Sequence, residues 1–167
     1  MDPRNSTAHR FRRGVQTVDL IVPDVVDVLV ADHAPPRATR KLRGRDLVAI
    51  EGGTQALQRT LDASMSISGR RSTTVSVPSV LGALVLKAAA FQADSRDPGR
   101  HLADACVLLA CMDDPYAARE SSKGSDRRRI NLLRRALPDD APTWLLLDTV
   151  RAADARAALR ILTADIR

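Results

Sequence analysis

The first half of the chain carries short apolar runs separated by Pro, Gly and charged residues. The run VQTVDLIV at 15–22 is β-branched and apolar around one acid, which predicts a buried strand. The segments LVAIEGG at 47–53 and GRRSTTVSV at 69–77 predict two further strands, each next to a glycine turn. The segment VVDVLVADH at 25–33 fits either a strand or a short helix, and both interpretations stay open.

Apolar residues recur at helical spacing through most of the second half. Helices are predicted over 54–66, 79–94, 98–112, 125–137, 142–149 and 151–164. Thr54 and Ser125 stand where N-caps belong, and Pro138 ends the helix that begins at Ser125. The predicted fold class is therefore α+β, with a small mixed β-sheet over residues 1–77 and a helical bundle over residues 78–167.

The core has to be built almost without aromatic side chains. Hydrophobic residues make up 44% of the 167 residues but aromatic residues only 2%, so Val, Leu, Ile and Ala must fill the interior. The net charge of +6 favours a polyanionic partner such as nucleic acid or nucleotide phosphate. The alternative is a basic surface that only keeps the chain in solution.

Cysteine spacing and the length of the apolar runs indicate the compartment. Cys106 and Cys111 lie on one predicted helix at a spacing that gives neither a zinc site nor a disulfide framework, so both are predicted to be core residues in a reducing compartment. No run reaches the roughly 18 apolar residues of a membrane span, and the N-terminal segment lacks the apolar core of a secretory signal. We expect a cytoplasmic protein with no membrane partner.

Two charged residues interrupt the most apolar segment, residues 80–110. Lys87 shares a helix face with apolar residues, and a buried ammonium is costly unless it is paired or reaches water. The short connection between the two helices predicts antiparallel neighbours. One interpretation is a Lys87–Asp104 ion pair between packed helices, or a lysine that snorkels to the surface. The other is a lysine that contacts a phosphate in a cleft, held by the nearby acid Asp104.

An acid inside the first predicted strand also needs a partner. Asp19 points to the opposite face from its neighbours Val18 and Leu20 because side chains alternate along a strand. Carboxylates on neighbouring strands commonly hold magnesium beside phosphates. The alternative is an acid on an edge strand that faces solvent.

A set of segments in fixed order resembles a known family. The segments are HRF at 9–11, VDLIVPD at 18–24, GGTQAL at 52–57, VPSVLGALVLKAAA at 77–90, RDPGRHLADACVLLACMDDP at 96–115 and GSDRRR at 124–129. Together they resemble the AbiEii/AbiGii-type nucleotidyltransferases, also described as MenT-type toxins of type IV toxin–antitoxin systems. The resemblance covers most of the chain, from about His9 to Leu137.

The resemblance implies a fold, an activity and a set of site residues. The fold is that of polymerase-beta-like nucleotidyltransferases, and the activity is transfer of a nucleoside monophosphate from a nucleoside triphosphate, with Mg²⁺, to the 3′ end of tRNA. An antitoxin protein is the implied partner. Asp19 would be the acid of the third catalytic strand and a metal ligand. Lys87 would contact the triphosphate, Asp104 would orient the lysine or the nucleotide, and Arg96 and Arg100 would add charge to the same nucleotide-binding cleft.

One family motif has no counterpart in this sequence. The family's Gly-Ser turn and its Asp-x-Asp strand, which holds the metal, precede the HRF segment, whereas only eight residues precede His9 here. Asp24 and Asp27 do not form a strand Asp-x-Asp pair. Three explanations stay open: a gene start placed too late, an inactive descendant, or a protein that binds nucleotide, tRNA or a partner without chemistry. Missing strands would leave a sheet edge exposed, so we expect association with a second copy or with a partner.

The helix SDRRRINLLRRAL at 125–137 supports a non-catalytic alternative. It carries Arg127, Arg128, Arg129, Arg134 and Arg135 together with an apolar stripe. Arginines of this kind can bind the phosphates of a nucleic acid, and a bundle helix with a solvated basic face is the other interpretation. No helix-turn-helix pattern precedes it, and the sequence has almost no aromatic residues to stack on bases.

Overall fold

The computed structural model describes the backbone of residues 10–13, 16–19, 22–23, 41–42, 45–46, 49–50, 56, 58–67 and 71–164, with side chains from residue 56 onward except at 65, 67, 71, 73 and 75. The chain divides into two compact units, residues 1–54 and residues 55–167. The predicted α+β class is confirmed, since both units contain described strands and the second also contains the described helices.

The described strands of the first unit pair in short two-stranded ladders. β1 (Arg10–Arg13) pairs antiparallel with β2 (Gln16–Asp19), and β3 (Val22–Pro23) is the next strand. β4 (Lys41–Leu42) pairs antiparallel with β5 (Arg45–Asp46), and β6 (Ala49–Ile50) pairs parallel with β3. The described part of the strand predicted over 15–22 belongs to β2 and β3, and the segment 25–33 lies outside the described residues.

The second unit begins with a β-hairpin where the sequence predicts a helix over 54–66. β7 (Thr60–Ile67) pairs antiparallel with β8 (Arg71–Pro78), from Thr60 opposite Pro78 to Ile67 opposite Arg71. The helix prediction is wrong from residue 60 onward because the segment alternates apolar and polar positions with a period of two. β8 confirms the strand predicted over 69–77, and its pairing selects the extended conformation for its neighbour.

Helices and one 3-10 segment form the rest of the second unit. Their bounds are α1 (Val80–Ala93), α2 (Pro98–Ala110), α3 (Pro115–Ser121), α4 (Asp126–Ala136), the 3-10 helix (Pro142–Leu146) and α5 (Thr149–Thr163). The sequence prediction locates α1, α2, α4 and α5 to within a few residues but misses α3. The sequence signal for α3 was Asp114, a residue type that commonly caps helices, directly before Pro115. In the structure Asp114 caps α3 by accepting hydrogen bonds from the backbone N–H groups of Tyr116 and Ala117 at 3.0 and 2.9 Å.

Side-chain capping explains the starts of α1 and α5, whereas α4 begins without it. The Ser79 hydroxyl accepts from the Gly82 N–H at 3.2 Å to begin α1, and Asp148 accepts from the Arg151 N–H at 2.9 Å to begin α5. Ser125 is the N-cap residue of α4, as predicted, although its side chain makes no cap hydrogen bond. Its hydroxyl oxygen instead accepts from the Arg129 guanidinium at 3.0 Å.

Leucine and alanine dominate the core of the second unit. The large side chains with the least exposure are Leu84, Leu109, Ile130, Leu133, Leu137 and Leu159. Helix α5 packs against α2, α3 and α4, and α1 packs against α2 and α4. Trp144 is the aromatic residue of this core, and its indole N–H donates to the Pro138 carbonyl at 2.8 Å. The aliphatic core predicted from composition is therefore present, with one tryptophan added.

A buried ion pair joins the residue before β7 to the start of α4. Arg59 Nη2 lies 2.6 Å from Asp126 Oδ2, and the Asp126 side chain has no exposed surface. The same guanidinium group donates to the Ser121 carbonyl at 3.0 Å, and the Arg59 carbonyl accepts from the Ser79 N–H at 2.6 Å. Asp126 also accepts from the Lys123 N–H at 2.9 Å. Arg59 thus connects the hairpin to the beginning of α1 through its carbonyl and to the α3–α4 turn through its guanidinium group.

The division between the two units falls after residue 54 of the chain, whereas the sequence predicts a boundary between residues 77 and 78. The hairpin accordingly groups with the helices, to which Arg59 ties it. The predicted functional division into a nucleotidyltransferase-like part over 1–77 and a helical bundle over 78–167 stays a prediction.

Replacing Asp126 tests the buried ion pair. We expect Asp126→Asn to lower the free energy of unfolding by about 3 kcal/mol, because it leaves the Arg59 guanidinium largely buried without its counterion. Chemical denaturation followed by circular dichroism measures the change. Asp154→Asn, at an exposed position of α5, is the matched control and should lie within about 0.5 kcal/mol of the unmodified protein. Equal stability of the two variants would contradict the assignment.

The two cysteines differ in accessibility, which corrects the prediction that both lie in the core. Cys106 is buried, and this burial raises the pKa of its thiol to about 11, while Cys111 is exposed at the end of α2. Iodoacetamide at neutral pH should therefore modify Cys111 alone in the folded protein, since the thiolate is the reactive species. Mass spectrometry of Cys111→Ser and Cys106→Ser variants locates the label. Labelling of Cys106 before unfolding would refute this packing of α2.

Candidate functional site

Lys87 and Asp104 form a direct contact between α1 and α2. Lys87 Nζ lies 2.6 Å from Asp104 Oδ2, and the two side chains are 35% and 50% exposed. The lysine is therefore not buried, because the buried side of α1 is formed by other residues, among them Leu84, Val85 and Ala88. The structure brings together the two residues that the sequence singled out, at a position that solvent can reach.

A second charged contact between α1 and α2 involves Asp94, which the sequence analysis did not select. Asp94 Oδ2 lies 2.9 Å from Arg100 Nη2 and 3.1 Å from His101 Nε2. Together with the pair of Lys87 and Asp104, this order of contacts makes the two helices antiparallel, as predicted. The signal in the sequence was the turn DSRD, since an aspartate at this position commonly bonds to backbone groups two residues on.

The Asp94 carboxylate also fixes the turn between the helices. Its Oδ1 accepts from the backbone N–H groups of Arg96 and Asp97 at 2.9 and 3.2 Å. The Arg96 and Asp97 N–H groups, the His101 side chain and the Arg100 guanidinium hold the pKa of Asp94 well below its usual range. His101 is itself 8% exposed. The aspartate therefore stays ionised and holds the start of α2 at physiological pH.

Arg96 and Arg100 lie beside one open depression at this turn. The depression has a volume of about 420 Å³ and is lined by Ala93, Asp94, Ser95, Arg96, Asp97 and Arg100. Arg100 is held by Asp94, whereas the exposed Arg96 side chain has no ion pair within the described part of the chain. Lys87 and Asp104 do not line this depression, although Arg100 and Asp104 are one helical turn apart on α2. The predicted site residues thus form two adjacent groups along the α1–α2 contact.

The predicted metal ligand cannot be placed beside them. Asp19 ends β2 with its backbone opposite Arg10, and its side chain lies outside the described residues. Over the part of the chain whose side chains are described, no three His, Cys, Asp or Glu residues are grouped as a metal site would require. The described side chains therefore do not test the Mg²⁺ site, and the ion stays a prediction from the resemblance.

The basic helix α4 carries a larger arginine-rich surface. Arg128, Asn131, Arg134 and Arg135 line an open depression of about 600 Å³. Of the five arginines noted in the sequence, Arg129 is buried, while Arg127, Arg128 and Arg135 are exposed. The apolar stripe of α4 faces the core through Ile130 and Leu133, so the predicted amphipathic orientation is confirmed.

Comparison of the chain with protein-family models, with curated proteins and with solved structures found no match. Among the described helices, none is both long enough and apolar enough to cross a membrane.

The Asp94 contacts predict a specific pH dependence. Because the pKa of Asp94 is depressed in the folded protein, its stabilising contribution is complete above the unfolded-state pKa of about 4 and is lost as the pH falls toward the folded-state value. Asp94→Asn should therefore melt at a lower temperature than the unmodified protein at neutral pH. This difference should shrink as the pH is lowered below about 4.

Thermal denaturation of both proteins between neutral pH and strongly acidic pH measures this effect. Asp113→Asn changes an exposed aspartate that takes no part in the Asp94 contacts. Its melting temperature should stay close to that of the unmodified protein at every pH. A constant melting difference for Asp94→Asn across the whole range would show that the carboxylate charge is not what holds the turn.

Proposed function

We propose that the protein is nucleotidyltransferase-like and binds a nucleoside triphosphate through Lys87. The observation that supports this most directly is the 2.6 Å contact between Lys87 and Asp104, the two residues to which the resemblance assigns phosphate contact and orientation. The wider function implied by the resemblance is transfer of a nucleoside monophosphate to the 3′ end of tRNA in a toxin–antitoxin system. An antitoxin protein and self-association belong to the same proposal.

Lys87 is suited to exchange its partner for a phosphate. An ion pair between partly exposed side chains contributes about 0–1 kcal/mol, so moving the ammonium from Asp104 to a phosphate oxygen costs little. The long stem of a lysine carries a compact charge that can follow a phosphate oxygen over a few ångströms. Asp104 then acts as a positioning residue, because it holds Lys87 extended toward α2 before the nucleotide binds.

The arginines at the turn would supply additional positive charge. Arg100 is fixed by Asp94 at 2.9 Å, so its orientation is set before a ligand arrives. Arg96 is exposed and has no ion pair within the described residues, which leaves its guanidinium group available to an anion. A fixed arginine and an available one beside the same depression suit a ligand with several phosphates.

The proposed chemistry assigns Lys87 a role at the leaving group. In nucleotidyl transfer an acceptor hydroxyl attacks the α-phosphorus and loses its proton to water, the bond from this phosphorus to the bridging oxygen breaks, and pyrophosphate leaves with the developing negative charge. A lysine that contacts these phosphates stabilises the charge in the transition state. By the resemblance, Mg²⁺ would neutralise further charge, with Asp19 among its ligands.

The proposal is tested by nucleotide binding and by nucleotidyl transfer, measured separately. We expect Lys87→Ala to weaken ATP binding by roughly tenfold or more in calorimetry, because a hydrogen bond to a charged group is lost. Asp104→Asn should reduce transfer of radiolabelled nucleotide to tRNA more than it reduces ATP affinity. Lys123→Ala, which removes an exposed lysine near α4, is the control and should leave both unchanged.

The outcomes separate the competing interpretations. Since the surface pair contributes little to stability, Lys87→Ala should fold and melt like the unmodified protein. ATP binding without label transfer to tRNA would favour the non-catalytic alternative for this chain. Failure of the unmodified, folded protein to bind any of the four nucleoside triphosphates with Mg²⁺ present would overturn the proposal.

A further inference from the structure

The solvent face of α4 carries two arginines and an asparagine in one row. Arg128, Asn131 and Arg135 recur at spacings of three and four residues, so they share one side of the helix. The opposite side is anchored by Ile130 and Leu133, which are fully buried. The row therefore has a fixed orientation and lines the depression of about 600 Å³.

Helix α5 extends this basic surface through contacts to Asp139. Arg134 Nη1 lies 3.0 Å from Asp139 Oδ1, and Arg160 Nη1 lies 3.2 Å from Asp139 Oδ2. Arg156 donates to the backbone carbonyl of Asp139 at 3.2 Å. Asp139 is itself 51% exposed, so the three guanidinium groups gather around an acid at the surface.

The charges of this surface do not balance. We call the residues Arg128, Asn131, Arg134, Arg135, Arg156 and Arg160 the arginine face. Its five arginines are opposed by Asp139 and the exposed Asp140, which leaves a local charge of +3. Asp139 pairs with Arg134 and Arg160. Arg128 and Arg135 form no ion pair within the described residues, so their charges are not neutralised there.

We infer that the arginine face binds the phosphate backbone of a nucleic acid, independently of the nucleotide site at Lys87. The guanidinium fork matches phosphate oxygens in two-pronged geometry. Arg128 and Arg135 are seven residues apart, or roughly 10 Å along the helix axis, so their guanidinium groups can contact separate phosphates of one strand. The binding is to the backbone, because the lining residues contain no aromatic side chain that could stack on a base.

The composition of the arginine face favours nucleic acid over an anionic membrane. A helix that binds a membrane surface inserts apolar side chains beside its basic residues. Here the apolar side of α4 is buried in the protein core, and the depression is lined by three arginines and an asparagine. The exposed apolar side chains Leu145, Leu146 and Val150 are not among its lining residues.

The salt dependence of binding tests this inference. The full chain is titrated against a fluorescent RNA duplex by anisotropy between about 50 and 200 mM salt. We expect Arg128→Ala combined with Arg135→Ala to lower affinity by tenfold or more at about 100 mM salt and to reduce the slope of log K against log salt by about 1.5–2. Arg128→Lys combined with Arg135→Lys should retain most of the slope.

A variant of equal charge loss distinguishes a defined surface from general basicity. Arg119→Ala combined with Arg151→Ala removes the same charge from α3 and α5 and should reduce affinity less than threefold. Equal losses in both double variants would overturn the inference, as would no binding of the duplex by the unmodified protein. Binding to phosphatidylserine vesicles or polyglutamate in place of RNA would also overturn it. Circular dichroism checks that each variant is folded, which we expect because none of the substituted side chains is buried.

Discussion

The helical unit depends on the buried pair of Arg59 and Asp126. One carboxylate with no exposed surface accepts from Arg59 and from the Lys123 backbone, while the arginine also reaches the Ser121 carbonyl. These contacts join the hairpin, the start of α1 and the α3–α4 turn, which are far apart in sequence. A buried pair of this kind adds little net stability compared with apolar packing, but removal of one partner is costly. The pair therefore fixes how the elements meet more than it contributes to the free energy of folding.

This constraint sets the position of α1 and hence of the candidate site. The Arg59 carbonyl holds the Ser79 N–H, and Gly82 lies so close to the same backbone that an added Cβ would be 3.3 Å from the Arg59 oxygen. With its first turn fixed, α1 presents Lys87 to α2 on its accessible side. Asp94 then closes the far end of the helix pair. The two charged contacts align α2 without burying either charge completely.

The sequence pattern predicts those features that depend on local periodicity. Helices α1, α2, α4 and α5 follow from the apolar spacing, and the contact of Lys87 with Asp104 follows from placing two helices side by side. The helix prediction fails over 60–66, where apolar and polar positions alternate as in a strand and pairing with β8 stabilises the extended conformation. The pattern also misses Asp126, because a single acid at the start of a basic helix looks like a dipole or capping residue. Its true partner, Arg59, is recognisable only once the fold brings it near.

Helix stability explains the arginines at the end of α4 but not those at its start. Arg134 and Arg135 lie in the last turn, where the negative end of the helix dipole favours cations. Arg127 and Arg128 stand in the first turn, where the positive end of the helix dipole disfavours cations. The helix persists because Ile130 and Leu133 are buried and because Asp126 supplies negative charge at its start. Packing of Ile130 and Leu133 thus keeps α4 helical although the arginines at its start are unfavourable. An anionic ligand would stabilise these arginines directly, so ligand binding explains the arginine face better than folding does.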